Sequence, residues 1–372
     1  MTKKDTQEKK IRQDYRINKL KPVNHVNPVE NNNKSASNKK YKQMKYCPGT
    51  LAEGFNTYSQ VCLRKLFNAK KVSHILPYQP PQQSEEVAEQ FLENRKRISI
   101  SGVQEKLSLL LEKNLLRLTK EGEQGTYILK PIPRDLKKIE IVPANEHLTM
   151  QIAKQVYGIN TAENAMIFFE NGTPAYITKR FDVKKDGSKL GKEDFASLAG
   201  KTKDNAGANF KYDYSYEEIG YLIQKYVSAW RVEIEKYFSL VVFNYLFSNG
   251  DAHLKNFSLL ESSKGDFLLS PAYDLINTKL HVDDSDFALT NGLFTDNYKS
   301  ETFKKTGHPS NDDFKEFGKR IGISESRIEK LLNPYLEKQY QVERLVNCSF
   351  LNDSCKRAYF LFYQTKRNYL IS

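Results

Sequence analysis

The pattern of apolar and polar positions changes character once along this chain. Between Ile98 and Phe181 it is mostly that of strands. Ile98–Leu111 reads as strand, small-residue turn and strand, Tyr127–Lys130 as a further strand, and Ala165–Phe169 and Pro174–Phe181 as two more around Asn171-Gly172. Strand-length apolar runs on either side of Asn-Gly mark a hairpin, because that turn needs residues that tolerate positive φ. Asn145–Val156 has helical spacing instead, with Leu148, Ile152, Ala153 and Val156 on one face and Asn145 as the expected N-cap. Beyond Phe181 the helical period takes over, in Tyr216–Val227, Trp230–Phe247, Asp312–Ile321, Glu325–Leu332 and Leu351–Tyr369. The pattern predicts an α+β protein of two lobes, sheet-rich and then helical, with its chemistry between them.

Four segments follow from these shifts: a tail over 1–45, a small N-terminal segment and linker over 46–95, a sheet-rich lobe over 96–181 and a helical lobe over 182–372. The second contains Cys62–Phe67 as a short helix, a linker at Pro77, Pro80 and Pro81, and Glu85–Asn94 as an amphipathic helix. The tail is too poor in aliphatic residues to offset the entropy of ordering and is expected to be a disordered, solvated arm. Most of the net charge of +13 lies there, since residues 1–45 hold 13 Lys/Arg against 4 Asp/Glu. The basic pI is therefore weak ground for a nucleic-acid-binding domain. No run of eighteen apolar residues predicts a membrane span, and no apolar segment follows the basic start, so a cytoplasmic protein is expected. Cys47, Cys62, Cys348 and Cys355 show no CxxC spacing, which favours reduced thiols over a zinc site.

The densest chemistry lies in Asn249-Gly-Asp-Ala-His-Leu-Lys-Asn256 and the Tyr273-Asp274-Leu275 beyond it. Phe257–Leu260, a turn at Ser263-Lys-Gly265 and Asp266–Ser270 read as a hairpin. A hairpin returns the chain to its starting point, so Asn256 and Asp274 become neighbours beside Asp251. Asp251 is then placed to accept a proton, while Asn256 and Asp274 offer oxygens to a hard cation such as Mg²⁺. Phosphoryl transfer requires that set.

Weaker signals fall into line with it. Ser99-Ile-Ser101-Gly102-Val103-Gln104-Glu105-Lys106 offers hydroxyls, a glycine and a lysine to polyphosphate. Lys130 ends a strand, and Lys179-Arg180-Phe181 joins the two halves where backbone groups would meet a nucleotide base. His253 is expected to order its loop or touch phosphate, and Lys255 to neutralise charge on a transferred phosphoryl group. Glu146 is expected in the first turn of its helix, where the macrodipole accounts for an acid without any ion pair to Lys130. Asp312–Leu332 has the outline of a helix-turn-helix, but its second helix carries as many acids as bases, which favours packed helices.

Ser99–Lys106, Ile128-Leu-Lys-Pro131, Asn145-Glu146, Thr178–Asp182, Glu193-Asp-Phe195, Asn249–Asn256 and Pro271–Leu275 together resemble the HipA-type serine/threonine kinases, toxins of bacterial toxin–antitoxin systems. The likeness runs in order over roughly 96–360. It implies a two-lobed fold related to protein and phosphatidylinositol kinases, and ATP and Mg²⁺ as cofactors. Asp251 matches the catalytic base, Asn256 and Asp274 the Mg²⁺ ligands, and Lys130 the ATP-phosphate lysine. Ser101, Gly102, Val103, Gln104, Glu105 and Lys106 match the nucleotide loop, Lys179, Arg180 and Phe181 the adenine hinge, with His253 and Tyr273 as further nucleotide contacts. Ser99 matches an autophosphorylated serine, and the Ser-x-Ser spacing with Ser101 resembles the short HipT-type branch. The implied partners are a protein substrate (an aminoacyl-tRNA synthetase among the family's targets), an antitoxin, a separate small protein in place of the missing N-terminal subdomain, and DNA only through an antitoxin. The basic tail departs from the family pattern and leaves room for an effector exported to a host. A lipid or small-molecule kinase and a non-catalytic DNA- or antitoxin-binding module are the alternatives.

Overall fold

The computed structural model describes residues 44–80, 106–133 and 138–372. The expected tail, the Glu85–Asn94 helix and the first strand and turn of Ile98–Leu111 lie outside these residues. Five strands form one antiparallel sheet in the order β2-β1-β3-β5-β4: β1 Leu107–Glu112, β2 Leu115–Leu118, β3 Tyr127–Lys130, β4 Asn164–Phe168 and β5 Pro174–Lys179. The β4–β5 turn is the Asn171-Gly172 hairpin, with Gly172 at φ +84°. Alternation sends the two faces of this sheet to different cores. Leu109, Tyr127, Leu129, Ala165, Ile167, Ala175 and Ile177 face the N-terminal segment, where Leu63, Leu66 and Phe67 project from helix α1, Gln60–Phe67. Met166, Phe168 and Tyr176 face the other way, into the larger core with Leu148 and Ile152 of helix α2, Val142–Gln155.

Helix α2 starts three residues before the expected Asn145, with Pro143 in its first turn. Proline suits that turn because its missing N–H has no partner there in any helix. Asn145 is therefore no cap. It lies fully buried inside the helix, donating to the Asn277 carbonyl at 2.8 Å and accepting from the Asn277 N–H at 3.2 Å. Glu146 consequently leaves the first turn.

The helical half is built on α3, Tyr216–Tyr226, and α4, Trp230–Leu246, followed by α5, Asn311–Arg320, α6, Glu325–Leu336, α7, Tyr340–Cys348, and α8, Asp353–Ile371. Helix α4 begins with a charged, partly exposed turn, but from Tyr237 to Leu246 it is nearly all apolar and buried accordingly. The supposed helix-turn-helix pair, α5 and α6, puts Phe314, Phe317, Ile328 and Leu332 into the same core. Helix α7 was not expected. The four cysteines are free and buried, and no helix among the described residues is long and apolar enough to cross a membrane.

A second, three-stranded sheet joins strands from either side of α4 in the chain. Strands β7, Ser258–Glu261, and β8, Phe267–Leu269, form the expected hairpin around Gly265, and β6, Lys192–Asp194, adds to β7 as an unforeseen third strand.

Candidate active site

The chain leaves α4 through Ser248, whose φ of +53° turns it sharply, and enters Asn249–Asn256. Thr278 holds that bend. Its hydroxyl accepts from the Gly250 N–H and donates to the Ser248 carbonyl, both at 2.8 Å. Asn249 is fixed by Asn244 at 2.8 Å. Asp251 emerges from this frame 8% exposed, its Oδ1 accepting from the Tyr212 hydroxyl at 2.9 Å. His253 packs behind it, and burial lowers its pKa to about 4, so the ring is neutral at physiological pH. The Asn256 side-chain oxygen accepts from the His253 N–H at 3.2 Å.

The hairpin then returns the chain to the loop. Ser270 N–H donates to the Ser258 carbonyl at 2.9 Å, and the Tyr273 hydroxyl donates to the Lys255 carbonyl at 2.9 Å. Asp274, one residue on, has a φ of +57°, in the left-handed region that Asp tolerates better than most side chains. Its carboxylate meets Lys130 from the sheet and Lys106, 3.5 Å away, from just before β1.

Lys130 is 3% exposed and also donates to Glu146 of α2 at 2.6 Å. The expectation that Glu146 answers only to its helix dipole is overturned. Burial opposes every charge in this cluster, and pairing overcomes it for Asp274 and Lys130 but not for Glu146. For Asp274 burial acts upward, but Lys130 and Lys106 hold the carboxyl well below the usual range. For Lys130 burial acts downward, and Asp274 and Glu146 together push the ammonium up. Glu146 is raised by burial, with Lys130 pulling the other way. A charged lysine between two acids is thus a fixed part of the fold.

Asp274 carries a carboxylate and Asn256 an amide oxygen, hard donors of the kind Mg²⁺ takes; the former is engaged by Lys130 and Lys106 and the latter by the His253 N–H. Among the described residues no group of three or more His, Cys, Asp or Glu side chains is arranged to hold a metal ion by itself.

The other predicted residues are distributed around this centre. Lys255 reaches Asp194 at the end of β6, at 2.7 Å. The backbone N–H groups of Lys179 and Arg180 are engaged by the Glu163 and Thr126 carbonyls at 2.8 and 2.9 Å. The Phe181 ring lies 5.8 Å from the Tyr273 ring, and the Lys192 ammonium stands 4.9 Å over the latter. Ser99, Ser101, Gly102, Val103, Gln104 and Glu105 lie outside the described residues. Sequence reasoning passed over Thr278 and Tyr212, and it weighed the Lys130–Glu146 pair only to set it aside in favour of the helix dipole. Only the last had a local signal: a helix begun at Pro143 puts Glu146 in the second turn, out of reach of the dipole explanation.

The family described as "HipA-like C-terminal domain" matches residues 98–342, well over half of the chain. The chain belongs to the HipA-like family. A Haemophilus influenzae relative named "Putative kinase" is 27% identical over 312 residues, 80% of this chain and 88% of that protein. "Putative kinase Y4dM" of Sinorhizobium fredii is 30% identical over 264 residues, 67% of this chain and 59% of that protein. Among solved structures, HipA of Shewanella oneidensis, in complex with HipB and operator DNA, is similar at a TM-score of 0.56 and 18% identity. That likeness covers 79% of this chain and 71% of that one. The HipA-like chain therefore has the kinase-like fold expected of it.

Proposed function

We propose that this chain is an ATP- and Mg²⁺-dependent protein serine/threonine kinase. The observation that carries the proposal is the meeting of Lys130, Glu146 and Asp274 at the end of the β7–β8 hairpin. Kinases of the protein-kinase type need a lysine anchored by a helix acid and a carboxylate for the metal, set in one place. Asp251 orients the acceptor hydroxyl and takes its proton. Asn256 and Asp274 hold Mg²⁺, which on binding would supply positive charge against the β- and γ-phosphates. Lys130, Lys106 and the 101–105 segment steady the polyphosphate. With the Lys179 and Arg180 amides engaged, the Phe181 backbone is the hinge group assigned to the base, and Phe181 and Tyr273 supply apolar surface beside it. Lys255, held by Asp194, supports the loop and lies near the transferred group.

The same reading extends to regulation and partners. Ser99 or Ser101 takes phosphate in cis, a protein antitoxin neutralises the activity, and the chain works in the cytoplasm on a protein target such as an aminoacyl-tRNA synthetase. The test is turnover of γ-labelled ATP, scored as phosphate on protein plus phosphate released. Asp251→Asn should abolish it while MgATP still binds, and near-normal turnover by that variant would refute the assignment. Intact-mass spectra of wild type should show a phosphorylated form that Asp251→Asn lacks.

A further inference from the structure

Tyr212 lies in a stretch, Gly207–Ser215, to which no sequence pattern assigned a role. Its hydroxyl nevertheless donates to Asp251 Oδ1 at 2.9 Å. The backbone that presents it is pinned from two directions. The Leu254 N–H of the catalytic loop donates to the Lys211 carbonyl at 3.0 Å, and the Thr290 N–H donates to the Tyr212 carbonyl at 2.8 Å. Next to it the Asn291 N–H donates to the Tyr214 carbonyl at 3.2 Å. The ring itself stands edge-on to the buried His253, their centroids 5.2 Å apart. A phenol held by backbone on both sides and by a ring on a third has little freedom to leave the carboxylate.

We infer that Tyr212 is a positioning residue for Asp251, fixing the plane of the carboxylate so that it faces the incoming hydroxyl. The inference rests on Asp251 being the base. A lone aspartate turns readily about its terminal torsion, whereas proton abstraction needs the acceptor oxygen within hydrogen-bond reach of the acceptor hydroxyl. The bond from Tyr212 restrains that rotation without adding a charge. Because the contact is to the base and not to nucleotide, its loss affects the transfer step and leaves ATP binding alone.

The test compares the full chain as wild type, Tyr212→Phe and Asp251→Asn in turnover of γ-labelled ATP, counting phosphate on the chain, on added casein and in water. Tyr212→Phe keeps the ring against His253 and removes only the donor. Its kcat should fall about tenfold, the scale of a hydrogen bond to a charged group, with KM for ATP and the melting temperature as in wild type. That split would not arise from a merely structural role. Unchanged or increased kcat in Tyr212→Phe overturns the inference, as does a fall accompanied by lost ATP affinity and a lower melting temperature. Full turnover by Asp251→Asn instead strikes the assignment of the base, and with it this one, so the two failures are distinguishable.

Discussion

Gly250 shows how little room the candidate catalytic loop has. A methyl group there would come within 2.1 Å of Asp284 Oδ2 and 3.0 Å of the Ser285 carbonyl oxygen. The carboxylate can swing aside, but the carbonyl belongs to the backbone and cannot without moving the 284–285 segment. Gly250→Ala should therefore cost about 1–2 kcal/mol in urea unfolding, as overpacking does, and lower ATP turnover more than ATP binding. Adding Asp284→Ala should restore part of the stability, because it removes the movable half of the clash. A Gly250→Ala protein as stable and active as wild type would show that the loop yields where the packing says it cannot.

At the scale of elements, helix α2 and the β7–β8 hairpin hold the site together, and they differ in how far sequence revealed them. The hairpin was legible because its signals are local: two short apolar runs, a Gly turn at φ +82°, and polar residues at both ends. The start of α2 was not, because Asn145 is a good cap by type and its real partners, Asn277 and His281, lie more than a hundred residues away. Strand β6 was missed for the same reason, since it is a strand only through its pairing with β7. Asn145 bonds both the N–H and the C=O of Asn277, three residues past Asp274, and so ties the helix bearing Glu146 to the segment bearing the candidate metal ligand. Asn145→Leu would take away the side-chain partner of both Asn277 groups in a fully buried place, a loss of about 2–4 kcal/mol. The measurement is urea unfolding beside MgATP affinity, and both should weaken. Loss of stability with unaltered affinity would mean that the tie serves the fold and not the site.

Over the whole molecule, protonation links the packed parts to pH. His147 of α2 is fully buried, bonded to the Gly49 carbonyl of the N-terminal segment at 3.1 Å and set against Phe350 of the helical half, so three regions meet on one ring. Burial lowers its pKa to about 4. The unfolded chain therefore takes the proton first, near the ordinary histidine value of about 6.5, and binds more protons than the native state between the two. Stability must fall as pH drops through that window, by about 2 kcal/mol for such a ring at pH 5. His253, also lowered to about 4, adds a contribution of the same sign. Asp284 has the opposite one: burial raises it to about 6, so its native form gains protons, and stability, as pH falls. Asp274, held below the ordinary carboxylate range by its two lysines, weakens the fold only in stronger acid. The wild-type slope is thus a sum of opposing parts, and the variant isolates one of them. His147→Gln keeps a donor for the Gly49 carbonyl but cannot take a proton. Between pH 7.5 and 5 its urea midpoint should fall less than that of wild type, by the equivalent of about 2 kcal/mol. Parallel curves would mean that His147 accepts its proton without opening the joint around it.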